Sequence, residues 1–321
     1  MNVRRRLIPA AAAASLGLGA LTACSSDSAA TGNTDKFDVV ASFYPMAFLA
    51  EQIGGDHANV TSLTEPGQEP HDLEISTQQR AQLEEADAAL YLKGLQPAVD
   101  EAVGQTGITT KIDAATLTHL EDHGTGGHTH EGEEGHSEEG HSEEEEEHGR
   151  DPHVWLDPVM YAEIAQGVGK AFEKADPDHA ADYKKNTEAL VTKLKGLDGD
   201  FENGLKNTRS KVFFTNHAAF GYLAERYGLT QEAISGVDPD SEPSGARVRE
   251  LQQEAKADGV TTVFYETLVS DKTAKTLARD AHLKTDVLDP IEGITDKSRG
   301  DDYFQVMEAN LKALQTALGA K

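Results

Sequence analysis

Three histidines and one aspartate occupy comparable positions just beyond predicted strands or at the start of a folded segment. His71 lies in EPGQEPHDLE, His217 lies in FFTNHAAF, and His153 lies in DPHVWLDP. Asp289, in DVLDPIEG, again follows a strand directly. In open α/β sheets ligands bind outside the carboxyl ends of the strands, so these side chains are expected to converge. Imidazole and carboxylate both bind divalent metals, which makes this set a candidate metal site.

A second concentration of possible metal ligands is the insert at 119–150, which contains HEGEEGHSEEGHSEEEEEHG. It has no apolar residue after Leu120, so it cannot bury enough surface to offset the entropy of ordering, and we predict a disordered loop. A His-rich tract is a compositional sign of metal binding. The candidate auxiliary capture residues are His119, His123, His128, His130, His136, His141 and His148. The alternative is a solvated acidic loop with no metal role.

The N-terminal segment has the pattern of an export signal. Arg4, Arg5 and Arg6 precede the apolar run LIPAAAAASLGLGALTA, and Cys24 follows at once. The sequence LTAC resembles a bacterial lipobox, which predicts cleavage after residue 23, lipidation of Cys24 and anchoring to the outer face of the cell membrane. Residues 24–36 are then a flexible tether. An ordinary secretory signal and a twin-arginine route remain the alternatives.

Composition excludes several classes of function. Cys24 is the only cysteine, so no intrachain disulfide and no site with several thiolates can form. The formal charge of −27 argues against nucleic acid as a partner and is compatible with cationic ligands.

Short strands alternate with amphipathic helices in both halves of the chain, a pattern typical of parallel sheets with helices on both faces. In the first half we predict a helix at 77–86, capped by Ser76, and strands at 37–45, 60–66 and 88–94. In the second half we predict strands at 211–216, 232–237, 261–267 and 284–290, separated by helices at 219–228, 244–259 and 270–282.

A longer helical pattern separates the two halves. Its apolar stripe is Tyr183, Leu190, Leu194, Leu197, Phe201 and Leu205, with Gly196 and Gly199 as candidate kinks. A last helix is predicted within 301–319. We therefore predict an α/β fold with a lobe at 37–156, a linking helical segment at 157–207 and a second lobe at 208–321. We expect a monomer.

Four separated motifs, EPGQEPHDLEISTQQ, DPHVWLDP, TNHAAFGYLAERYGL and DVLDPIEG, together resemble the metal-binding family of ABC-transporter solute-binding proteins, most closely its zinc-specific branch. The resemblance runs from about Phe37 to the C-terminus and includes the His/Glu-rich insert. It implies two α/β lobes joined by one long rigid helix, with the metal in the cleft between them. It also implies delivery of the metal to a membrane permease.

The family's ligands map onto His71, His153, His217 and Asp289. Manganese-binding relatives have a glutamate where this chain has His217, and three imidazoles with one carboxylate suit zinc. Some zinc-binding relatives carry a C-terminal disulfide, which this chain cannot form. In others an acidic residue precedes the first histidine, where Pro70 stands here, so Asp289 is the expected oxygen ligand. Glu69, Glu266 and water are its alternatives.

Other functions remain as alternatives to zinc transport. The nearest is a manganese or iron carrier of the same fold, followed by a metal-dependent adhesin and a zinc hydrolase. The chain lacks His-Glu-x-x-His, a Gly-x-Ser-x-Gly elbow and a Walker loop, and four protein ligands would leave no position for a reactive water. We therefore expect a carrier that is not an enzyme.

Overall fold

The computed structural model describes residues 36–123 and 150–320. The predicted signal segment, Cys24 and most of the tether lie outside these ranges. So do five of the insert histidines, which are His128, His130, His136, His141 and His148.

The first half of the chain forms a four-stranded parallel sheet with strand order β2-β1-β3-β4. Its strands are β1 (Phe37–Ala41), β2 (Ala58–Ser62), β3 (Ala88–Tyr91) and β4 (Thr110–Asp113). Its helices are α1 (Tyr44–Gly54), α2 (Thr77–Glu85) and α3 (Pro97–Gln105). Ser76 caps α2 as predicted, because its hydroxyl accepts from the Gln79 amide while the Gln79 side chain accepts from the Ser76 amide.

Two helices fill the linking segment. They are α4 (Pro158–Ala175) and α5 (Ala180–Leu205). Pro177 lies between them, where a proline cannot continue the hydrogen bonding of α4. Gly169 of α4 allows a close approach to α5, since a Cβ atom there would lie 2.2 Å from Thr187 Oγ1. Gly196 and Gly199 do not interrupt α5, which runs through both.

The second half repeats the topology of the first, with strand order β6-β5-β7-β8 and all pairs parallel. The strands are β5 (Val212–Thr215), β6 (Thr230–Ala233), β7 (Thr262–Tyr265) and β8 (Lys284–Val287). The helices are α6 (Gly221–Arg226), α7 (Gly245–Ala257), α8 (Lys272–Ala281) and α9 (Tyr303–Leu318).

Alternate strand residues enter different apolar cores, as the two-residue period of a strand requires. Val39 and Phe213 belong to one large cluster that also contains residues of α1, α4, α5 and α9. Their neighbours Val40 and Phe214 belong to two smaller clusters, which lie under α2 and α3 and under α7 and α8. Both sheets are therefore covered on both faces, and the predicted α/β class with two parallel sheets and a long helix is confirmed.

The domain boundaries predicted at 156, 207 and 208 stay a prediction, because the described residues all belong to one compact unit. Within the described parts of the chain, no helix has both the length and the apolar character needed to cross a membrane.

Candidate metal centre

The loops that follow the strands bring three histidines and one glutamate together. His71 lies in the loop between β2 and α2, His153 lies just before α4, and His217 follows β5. Glu292 lies in the loop after β8. One ligand atom from each of the four lies within 4.8 Å of the others. The three predicted histidines therefore converge, and two of the four residues come from each half of the chain.

The three imidazoles point their Nε2 atoms at one carboxylate oxygen. Glu292 Oε1 lies 3.2 Å from His71 Nε2, 3.3 Å from His153 Nε2 and 3.6 Å from His217 Nε2. The Nε2 atoms of His153 and His217 are 3.3 Å apart. His153, His217 and Glu292 are buried, whereas the side chain of His71 keeps 11% of its surface exposed. Three of the four side chains are thus buried, and the group contacts solvent through His71.

Buried carboxylates hold two of the imidazoles from behind. Asp151 Oδ1 lies 2.7 Å from His153 Nδ1 and accepts the His153 backbone amide at 2.9 Å. Glu266 Oε1 lies 2.6 Å from His217 Nδ1. A carboxylate on Nδ1 fixes the ring orientation and leaves the lone pair of Nε2 for a metal, which is the usual support of metal-binding histidines. Glu266, an alternative oxygen ligand, lies behind His217 and outside the four-residue group.

Asp289 does not join this group. Its Oδ1 accepts the Ile291 amide at 2.8 Å, and its Oδ2 accepts the Thr267 hydroxyl at 3.0 Å. The side chain of Asn310 pairs with its backbone amide and carbonyl at 2.9 and 2.7 Å. Burial raises the pKa of Asp289 to about 6, against the hydrogen bonds from Ile291 and Thr267. These contacts turn the carboxylate inward, and Glu292, three residues later, takes the position that we expected Asp289 to hold.

The loop that presents Glu292 is fixed by several buried contacts. Ile291 has a φ of 60°, a left-handed conformation that costs a β-branched residue roughly 1–3 kcal/mol. Asp289 holds this turn by accepting the Ile291 amide, and Trp155 Nε1 donates to the Pro290 carbonyl at 2.7 Å. The Tyr303 hydroxyl in turn donates to the Trp155 carbonyl at 2.6 Å. The hydrogen bond from Trp155 to Pro290 therefore joins the DPHVWLDP segment to the DVLDPIEG segment.

The charges of the group are strongly coupled. Burial acts against the charge of Glu292, but the three surrounding imidazoles outweigh it and hold its pKa well below the ordinary value. Burial also opposes the charge of His217, yet Glu266 and Glu292 hold the pKa of this imidazole well above its usual range. Asp151 raises the pKa of His153 in the same way, against burial. The negative charge of Glu292 thus favours positive charge on the surrounding imidazoles.

Glu69, the other alternative oxygen ligand, lies near the group without belonging to it. Burial raises its pKa to about 7, and the negative charge of Glu292 adds to this effect. Among the described residues, its Oε1 is a buried atom with no hydrogen-bond partner.

The described residues include two of the predicted capture histidines. His119 is exposed, whereas His123 is half-buried and belongs to a second group with Glu121 and Glu225. The sequence singled out His123 only as one of several insert histidines, and it gave no sign of its partner Glu225 on α6.

Comparisons with known proteins agree with this fold. Residues 39–317 match the family described as ZnuA, zinc-uptake complex component A, periplasmic. The zinc-binding lipoprotein AdcA of Streptococcus pneumoniae is 38% identical over 92% of this chain, and the match spans only 58% of AdcA's own length. The crystal structure of its Zn(II)-bound ZnuA-like domain matches with a TM-score of 0.71 at 34% identity, covering 88% of this chain and 99% of that domain.

Two further similarities cover almost the whole of the proteins compared. The high-affinity zinc uptake system protein ZnuA of Bacillus subtilis is 36% identical, with 95% of this chain and 98% of that protein covered. The laminin-binding protein Lmb of Streptococcus agalactiae, described as a bifunctional protein with adhesin and metal transporting activity, matches with a TM-score of 0.75 at 28% identity. That match covers 88% of this chain and 99% of Lmb. This chain therefore belongs to the ZnuA family, the zinc-uptake complex component A proteins.

Proposed function

We propose that this protein is the extracytoplasmic zinc-binding component of an ABC uptake system. His71, His153, His217 and Glu292 hold one Zn²⁺ as cargo, and the protein passes it to a membrane permease. The names of AdcA and ZnuA support zinc as the cargo and uptake as the purpose.

The observation that carries the proposal is the spacing of the four ligand atoms. Ligands about 2.0–2.1 Å from a tetrahedral zinc lie roughly 3.3–3.4 Å from one another. The four measured separations among Glu292 Oε1 and the three Nε2 atoms run from 3.2 to 3.6 Å. Four of the six separations within the group therefore have the length that a tetrahedral zinc site requires, and one ligand atom from each residue lies within 4.8 Å of the others.

The donor set favours zinc over manganese. Three imidazole nitrogens and one carboxylate oxygen match the borderline softness and the four-coordination of zinc, whereas manganese prefers six oxygen-rich ligands. His217 is buried and held by Glu266, so it cannot turn away in favour of an oxygen donor. A manganese or iron carrier of the same fold is the alternative, and it fits this donor set less well.

The same ligand set argues for a carrier that is not an enzyme. A catalytic zinc keeps one coordination position for water or substrate, whereas four protein ligands fill a tetrahedral zinc. Glu292, which is 1% exposed, completes the set from the protein. A zinc hydrolase would need this carboxylate to leave.

Lipidation of Cys24 would keep the carrier on the outer face of the cell membrane, near its permease, with residues 24–36 as the tether. Several acyl chains on one lipoprotein hold firmly, unlike a single chain. The name of AdcA as a lipoprotein supports this part of the proposal. The carrier would act as a monomer. Replacing Cys24 by Ser should release the protein from membranes, and continued membrane retention would contradict lipidation.

Adhesion is a second candidate function, because Lmb is described as both adhesin and metal transporter. The two functions separate in cells. If the protein serves zinc uptake, its deletion should slow growth in chelator-treated medium, and added zinc should restore growth. A deletion that reduces attachment without any zinc-dependent growth defect would favour adhesion.

Calorimetric titration of the chain from residue 25 onward tests the cargo directly. We expect one tight zinc equivalent and much weaker binding of manganese. His217→Ala should remove the tight equivalent, whereas His282→Ala, which changes an exposed histidine outside the site, should leave it. A manganese affinity equal to that for zinc would contradict the assignment of cargo.

A further inference from the structure

A second group of potential metal ligands includes His123, the last residue that the structure describes before residue 150. His123 Nε2 lies 2.9 Å from Glu225 Oε2, and one ligand atom from each of Glu121, His123 and Glu225 lies within 4.8 Å of the others. The two carboxylates of the group therefore lie close to each other as well as to the imidazole. Against the effect of burial, Asp151 and Glu225 raise the pKa of His123 to about 9, so a proton on this imidazole supplies the positive charge that a bound metal ion would replace.

The imidazole of His123 is held in the same way as that of His153. Asp151 Oδ1 lies 2.7 Å from His153 Nδ1, and its other oxygen lies 2.9 Å from His123 Nδ1. One buried carboxylate therefore orients two rings, and each ring directs its Nε2 away from Asp151. The Nε2 of His153 faces the metal centre described above, and the Nε2 of His123 faces Glu225. A carboxylate on Nδ1 is the support that metal-binding histidines usually have.

The surroundings of His123 are shaped to hold this ring. Gly221, the first residue of α6, leaves space that a larger residue would fill, since a Cβ atom there would lie 2.4 Å from both Cβ and Cγ of His123. The ring of Tyr222 meets the imidazole edge-on with centroids 4.3 Å apart, and the Tyr222 hydroxyl donates to the Asp151 carbonyl at 2.7 Å. The side chain of His123 is thus packed against Gly221 and Tyr222, with 14% of its surface exposed.

From these contacts we infer that Glu121, His123 and Glu225 form a second site for a divalent transition-metal cation, coupled to the first through Asp151. The identity of that cation as zinc rests on the proposed function. Glu121 is exposed and the Glu225 side chain is 61% exposed, so both lose side-chain entropy on binding. The site supplies three protein ligands and is open to solvent, which suits exchange with a passing cation.

This arrangement places a solvent-exposed site next to the buried centre. A cation bound at His123 would lie beside the buried centre, because Asp151 holds both the His123 ring and the His153 ring. We expect its affinity for zinc to be about 100-fold or more below that of the buried centre, because fewer and more mobile ligands hold the ion.

The test must separate this site from loose binding along the insert. We would replace His128, His130, His136, His141 and His148 by Gln in the full chain and titrate this variant with Zn²⁺ alone. Two equivalents are expected, one tight and one weaker. Adding Glu225→Gln should remove the weaker equivalent and leave the tight one unchanged, since Glu225 does not contact Asp151. Glu202→Gln, which changes an exposed glutamate of α5, is the matched control.

Co²⁺ provides an independent probe of the same site. In the variant with five insert histidines replaced by Gln, a second Co²⁺ equivalent should add visible absorption. The further change His123→Ala should abolish this added absorption. A single equivalent in the five-histidine variant, or a weaker equivalent that survives both Glu225→Gln and His123→Ala, would overturn the inference and leave His123 as an ion-paired structural residue. Absence of the tight equivalent in the unchanged chain would instead contradict the proposed function.

Discussion

Glu292 Oε1 lies 3.2 Å from His71 Nε2, although 221 residues separate the two side chains. His71 belongs to a loop of the first sheet, and Glu292 belongs to a loop of the second. A cation bound between them therefore touches both halves of the chain. Among the four proposed ligands, His71 has the most exposed side chain, so we expect it to be the first to contact an arriving ion.

Zinc affinity should fall as pH is lowered. The pKa values of His153 and His217 are raised, and a ligating imidazole must be neutral, so zinc competes with protons for both rings more strongly as pH falls. Each displaced proton lowers the apparent affinity about tenfold per pH unit of acidification. Calorimetry in two buffers of different ionisation enthalpy should reveal proton release on zinc binding, and the release should increase as pH is lowered. Binding without proton release would show that the imidazoles are already neutral.

Glu266 should tune zinc affinity without touching the metal. It holds His217 Nδ1 at 2.6 Å, and loss of such a supporting carboxylate typically lowers metal affinity about 10- to 100-fold. Glu266→Ala should show this loss in competition with a chelator. Glu266→Gln, which keeps an acceptor oxygen, should recover part of it. If Glu266→Ala bound zinc as tightly as the parent chain, the orienting role would be wrong.

Tyr303→Phe should destabilise the fold around the site. The change removes a hydroxyl that donates to the buried Trp155 carbonyl at 2.6 Å, and an unpaired buried carbonyl costs about 1–3 kcal/mol. The Tm of the zinc-free protein should fall by several degrees in a thermal scan. Tyr265→Phe removes a hydroxyl from a half-buried ring outside this contact and should change the Tm little. Equal Tm shifts for the two variants would contradict the explanation.

The sequence predicted the α/β class and the convergence of the three histidines, because strand patterns and their carboxyl ends are local signals. It missed α1 (Tyr44–Gly54), whose residues are apolar on most faces since the helix is buried and therefore shows no clear amphipathic period. It also missed β4 (Thr110–Asp113), a four-residue strand with two charged side chains.

The choice of Asp289 as the oxygen ligand shows where local reasoning stops. Asp289 and Glu292 lie in one short motif, and both carboxylates follow β8. Contacts with Asn310 of α9 and Thr267 hold Asp289 away from the three histidines. The left-handed backbone of Ile291 lies between Asp289 and Glu292, the carboxylate that faces the histidines. Two of these partners lie more than 20 residues from Asp289, so the motif alone cannot reveal the choice. Glu292 in the same motif was the sequence feature that offered a second candidate oxygen ligand.

The most direct measurement compares the zinc affinity of Glu292→Gln and Asp289→Asn at pH 7.5, by competition with a chelator. Glu292→Gln removes the anionic ligand and should lower affinity more than about 100-fold, beyond the loss expected for a supporting residue. Asp289→Asn keeps an oxygen for the Ile291 amide and an amide group for Thr267, so affinity should stay within about tenfold of the parent chain. Tight zinc binding by Glu292→Gln together with its loss in Asp289→Asn would contradict the site as described and would make Asp289 the ligand.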